Sequence, residues 1–84
     1  MGRSVKRYPA QTELGHRVRS RRLELGWSQM DLAERIGLHF TFVSSVERGE
    51  RNASLKSLLR LADGLQVNAG SLIDGLHWSE PRDS

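Results

Sequence analysis

Single glycines at positions 26, 37 and 49 cut the middle of this chain into pieces too short for any long helix. Within the pieces, apolar residues recur three or four apart, the period of an amphipathic helix. From Thr12 to Leu25 the residues Leu14, Val18 and Leu25 keep that spacing, and Gly26 supplies the left-handed conformation that ends a helix cheaply. A second helix is expected over Gln29–Ile36. Ser28 can cap its first turn, Asp31 can reach back as the acidic half of a capping box, and Leu32, Ala33 and Ile36 form its inner face before Gly37 stops it. The third piece, His39 to Arg48, is rich in β-branched and aromatic residues, which alone permit a strand. Spacing decides for a helix: Leu38, Phe42 or Val43, and Val46 share one side, Gly49 closes it, and Phe40, Thr41, Ser44, Ser45 and Arg48 occupy the other.

Ser54 then starts a fourth helix with an expected inner face of Leu55, Leu58, Leu59, Ala62 and Leu65. Asn68 starts a short fifth helix holding Leu72 and Ile73, ended by Gly75. Five helices with short connections, no strand pair and no repeat indicate an all-α, compact five-helix bundle. Residues 1–11 read as a basic arm, 12–78 as the domain and 79–84 as a polar tail.

At 84 residues the chain suffices for one domain with a modest core. No apolar run approaches the roughly 18 residues of a membrane span, and no apolar stretch follows the N-terminal charges as in a secretory signal. With no cysteine, disulfides and thiolate metal sites are excluded, which fits a reducing cytosol. Charge is polarised: residues 1–27 carry seven Lys/Arg against two carboxylates, whereas residues 61–84 carry Arg82 against four. One end suits a polyanion and the other does not. Catalysis finds no support. His16, His39 and His77 lie on different elements, no metal-ligand spacing exists, and no glycine-rich phosphate loop implies a cofactor. The expectation is a non-enzyme without metal or cofactor.

Two short helices joined by Gly37-Leu38-His39 cross steeply, the helix-turn-helix arrangement, which turns the outer side of the third helix toward a major groove about 12 Å wide. Here the residues resemble a known family. Leu14-Gly15-His16-Arg17-Val18-Arg19, Gly26-Trp27-Ser28-Gln29, Leu32-Ala33, Gly37-Leu38, Val43-Ser44, Val46-Glu47-Arg48-Gly49-Glu50-Arg51-Asn52, Ser54-Leu55, Leu59, Leu61-Ala62, Leu65 and Val67 are similar to the phage repressor/Cro type of regulators, the xenobiotic-response-element family. The stretch Leu38 to Ser44, with Glu47-Arg48-Gly49 and Arg51 to Leu55, looks closest to the controller proteins of restriction–modification systems.

The resemblance implies a lambda-repressor-like DNA-binding bundle and assigns roles. Gln29 would bond a phosphate at the start of the second helix. Phe40, Thr41 and Ser45 would face base edges, beside Ser44 on the same outer side. Hydroxyls discriminate weakly, and phenylalanine can only pack on a thymine methyl or base edge. Where controller-like members often carry arginine, this chain has Phe40. Phe42 has two roles open, at the DNA backbone or under its own helix. Arg48, Arg51 and Asn52 would meet phosphates, with Arg17 and Arg19, and the arm residues Arg3, Lys6 and Arg7, as weaker partners. Arg22 and Glu47 would form a structural ion pair, and Trp27 would be core.

Leu65, Val67, Leu72, Ile73, Leu76 and Trp78 exceed what the acidic end needs for packing, so part of this set reads as a homodimer interface. Two-fold symmetry would then place two reading helices about 34 Å apart on a near-palindromic operator. The expected function is a cytoplasmic transcription regulator, with contact to RNA polymerase as its route to activation. An antitoxin-type autorepressor, or a protein-interaction adaptor on the same scaffold, are the alternatives.

Overall fold

A computed structural model describes residues 6–83, apart from the side chains of Arg82 and Asp83; Arg3 lies outside the described residues. The elements run β1 (Lys6–Arg7), α1 (Pro9–Glu24), α2 (Gln29–Ile36), α3 (Phe40–Glu47), α4 (Leu55–Gly64), α5 (Ala69–Ile73) and β2 (Arg82–Asp83). The five-helix bundle expected from spacing is what forms, and α2 has the expected bounds. Helix α1 starts at Pro9, ahead of Thr12, because a proline in the first turn has its φ preset and lacks only an N–H that would find no helical partner.

Val18, Leu32, Val43, Val46, Leu61, Leu65 and Leu72 are fully buried, so all five helices contribute to one core, in which α1 packs on α3 and α5, α2 on α3 and α4, and α4 on α5. Close approach of α1 to α3 depends on Gly15: a Cβ there would overlap the Val46 carbonyl oxygen and stand 2.8 Å from that of Glu47.

Two expectations are corrected. The chain does contain a strand pair, with Lys6 opposite Asp83 and Arg7 opposite Arg82 in antiparallel register. Two residues per strand leave no periodicity to read; the pairing exists because the fold brings the two ends together. On α4, Leu55 (71% exposed) and Leu59 (50%) face outward instead of inward. That helix carries two overlapping leucine stripes, and its neighbours α2 and α5 cover the one formed by Leu58, Leu61, Ala62 and Leu65.

Leu65 and Leu72, expected at a dimer interface, are likewise corrected: both are core. Val67 and Leu76 pack partly against that core, which leaves Ile73 and Trp78 of the set exposed.

Candidate nucleic-acid interface

The start of α2 is fixed by a reciprocal cap. Ser28 Oγ accepts from the Asp31 N–H at 3.0 Å, and the Ser28 N–H donates to Asp31 Oδ2 at 2.9 Å. The bond from the Ser28 N–H foremost, and then the Ser28 hydroxyl, hold the Asp31 carboxyl below the usual carboxylate range. At the other end Gly37, at φ 69°, takes the left-handed turn that redirects the chain. His39 then caps α3: its Nδ1 accepts from the Thr41 N–H at 3.1 Å. Histidine is outside the usual set of capping residues, so sequence reasoning missed this role.

Phe42, Val43 and Val46 bury the inner face of α3. Phe42 therefore takes the second of its two roles; at 7% exposure it is core, which corrects its assignment to a phosphate. Phe40 and Thr41 are exposed, and Ser44 and Ser45 are half-buried. Each hydroxyl has a local partner. Thr41 Oγ1 lies 2.9 Å from His39 Nδ1, Ser44 Oγ accepts from Arg48 at 2.5 Å, and Ser45 Oγ donates to the Phe42 carbonyl at 2.9 Å. Arg48 sits on the same stripe as Thr41 and Ser44, two turns beyond the first and one beyond the second.

Behind this face α3 is locked to α1 and α2. Arg22 donates from Nε to Glu47 Oε2 at 2.6 Å and from a terminal nitrogen to Oε1 at 2.9 Å, with side chains 7% and 3% exposed. A third bond runs to the Trp27 carbonyl at 2.7 Å. The hydrogen bond donated to Glu47, with the charge of that carboxylate, keeps the Arg22 pKa above its ordinary value against the opposing effect of burial. Gln29 donates its amide to Glu47 Oε1 at 3.0 Å. Its side chain thus braces the lock, an arrangement that the phosphate role did not anticipate. Trp27 is only partly buried; it packs against the core while the Arg35 guanidinium lies 3.9 Å above its ring.

The basic rim is uneven. Arg48 Nε bonds Glu50 at 3.1 Å, and Arg7 reaches both the Arg48 carbonyl at 2.6 Å and Glu50 at 3.2 Å. The hydrogen bond from Arg48, then the charges of Arg48 and Arg7, hold the Glu50 carboxyl below the usual range. Sequence reading saw Glu50 only as part of a polar loop, since nothing local announces a partner 43 positions away. Arg51 lies over the Phe42 ring at 5.2 Å, and with Asn52 lines an open groove beside His39 and Thr41. Arg17 is not brought to this group. It pairs with Glu13 at 3.1 Å and borders Val67, Ser71 and Leu72 near α5. Among the described residues no three His, Asp or Glu cluster as a metal site, and no helix is long and apolar enough to cross a membrane.

The assembled surface combines a polar face with one aromatic residue, a rigid support and flanking cations. That combination can donate to and accept from base edges while meeting phosphates on either side. Comparison with known proteins agrees with this geometry. A family model described as helix-turn-helix matches residues 18–72. Control protein C.SmaI of Serratia marcescens is 45% identical over 60 residues, which cover 71% of this chain and 71% of that protein. Among solved structures, the restriction-modification controller protein C.AhdI from Aeromonas hydrophila superposes with TM-score 0.72 at 40% identity, over 74% of this chain and 94% of that one. The controller protein C.Esp1396I, solved as a tetramer in complex with its natural 35 base-pair operator, gives 0.71 at 33% identity over 76% of this chain and 84% of that one.

Proposed function

The chain belongs to the helix-turn-helix family of DNA-binding transcription regulators, and on that premise we propose that it acts as a homodimer on a near-palindromic operator, as a controller of a restriction–modification system. One observation carries the reading: α3 presents Phe40, Thr41, Ser44 and Ser45 outward from a helix held rigid by the Arg22–Glu47–Gln29 lock. Such a helix enters the major groove as a fixed body, while Arg48, Arg51 and Asn52 meet the backbone.

The open leucines of α4, Leu55 and Leu59, with Ile73 and Trp78, supply the apolar surface for a second copy. A dimer regulates transcription by occupying promoter DNA, and through RNA polymerase where its site adjoins the promoter. The setting is the cytoplasm.

Selection of binding sites from random duplex DNA tests this. The expected product is an inverted repeat whose half-site centres lie about 10 base pairs, or a multiple, apart. Recovery of no enriched sequence, or binding that ignores salt, overturns the reading, because several phosphate contacts demand a steep fall in affinity as salt rises.

A further inference from the structure

We propose that Ser45 reads a base edge with fixed polarity, as a hydrogen acceptor only, beside Ser44, which keeps both roles. The inference rests on the DNA-reading function above and deepens it. An ordinary serine hydroxyl rotates, offers a hydrogen or a lone pair as needed, and so tells bases apart poorly. Ser45 is not free in that sense.

Ser45 Oγ lies 2.9 Å from the Phe42 carbonyl oxygen. A carbonyl can only accept, so the Ser45 hydrogen points back along α3 and only lone pairs remain to face outward. Ser44 Oγ lies 2.5 Å from the Arg48 guanidinium. A guanidinium can only donate, so Ser44 accepts there with one of its two lone pairs and keeps its hydrogen and the other lone pair for the groove. The Arg48 side chain is held in turn by Glu50 at 3.1 Å.

The major groove offers matching groups of both kinds. Exocyclic amines of adenine and cytosine donate, whereas purine N7, guanine O6 and thymine O4 accept. Ser45 therefore selects for a placed amine, whereas Ser44 can meet a group of either kind.

The experiment uses the full chain and the operator recovered by selection. The base pair facing each serine is the one whose preference relaxes in Ser44→Ala or Ser45→Ala. Alanine is the best helix former and removes only the hydroxyl, so both variants keep the fold. Base analogues then delete single groups. Purine and 2-pyrimidinone remove the amine; 7-deazaadenine or 7-deazaguanine removes N7, 2-aminopurine removes O6 and 5-methyl-2-pyrimidinone removes O4.

At the pair facing Ser45, amine deletion is expected to weaken the wild-type protein about fivefold more than Ser45→Ala, with no such excess for any acceptor deletion. Equal losses in wild type and Ser45→Ala, or an excess confined to acceptor deletions, overturn the proposal. A well-defined operator at which Ser45→Ala relaxes no position defeats the acceptor reading alone. Absence of any selected operator defeats the DNA-reading function, and the acceptor reading with it.

Discussion

Helices α3 and α4, of 8 and 10 residues, both start from a side-chain cap, yet their outward faces differ in kind. On α3 the outward residues are hydroxyls, one arginine stripe and Phe40, itself 40% exposed; on α4 two leucines stand open. The contrast lies deeper than composition. Helix α3 is fastened from behind by a buried ion pair, so its outer face is a fixed array of polar groups. Helix α4 is fastened by apolar burial, with a bond from Arg21 to the Leu65 carbonyl at its end at 2.9 Å, and its second leucine stripe is what its neighbours cannot reach. A rigid polar face suits a ligand with an ordered pattern of donors and acceptors, and an open apolar face suits another protein surface.

The largest effect should come from the α3 lock. Glu47→Ala leaves the Arg22 charge buried without its carboxylate and should cost about 3–5 kcal/mol in a denaturant melt. A change under 1 kcal/mol would show that α3 is held by packing alone. On α4 the two stripes should separate: Leu61→Ala costs about 2–5 kcal/mol, whereas Leu59→Ala stays within about 0.5 kcal/mol. Leu59→Lys should instead raise the dimer dissociation constant at least tenfold in sedimentation equilibrium; an unchanged dimer would assign the open stripe no partner in a second copy.

Smaller effects sharpen the rim and the caps. Arg51→Ala should weaken binding to all duplexes alike and lower the slope of log affinity against log salt by about 1. A loss confined to one base step would move Arg51 from the backbone to the reading set. The smallest effect concerns Asp31. Its carboxyl is depressed, so the cap's contribution is complete above the usual carboxylate range and is lost as pH falls through the lowered value. Acid melts of the wild type should therefore lose stability in that window, and Asp31→Asn should lack this increment.

Much of α2 was legible because its determinants lie within four residues of one another. The Ser28–Asp31 box, the inner face of Leu32, Ala33 and Ile36, and the stop at Gly37 are all local. The outward face of α3 was legible for the same reason, through its buried complement Val43 and Val46, although Phe42 was left open. Arg22 and Glu47 were paired through a family resemblance, since 25 positions separate them and no local rule joins them. Gln29 bracing Glu47, Glu50 gathering Arg48 and Arg7, and the place of Arg17 beside α5 depend on which helices become neighbours.

The sequence by itself determined where the helices start and stop and which residues α3 turns outward, because capping and a 3.6-residue period act over one or two turns. Tertiary structure decided which leucine stripe of α4 is core, that Leu65 and Leu72 are core too, and that the chain's ends pair as strands. It also decided which way the hydroxyl of Ser45 points, a direction set by atoms and not by residue type. Burial and hydrogen-bond direction depend on what lies opposite, and only the packed chain supplies that.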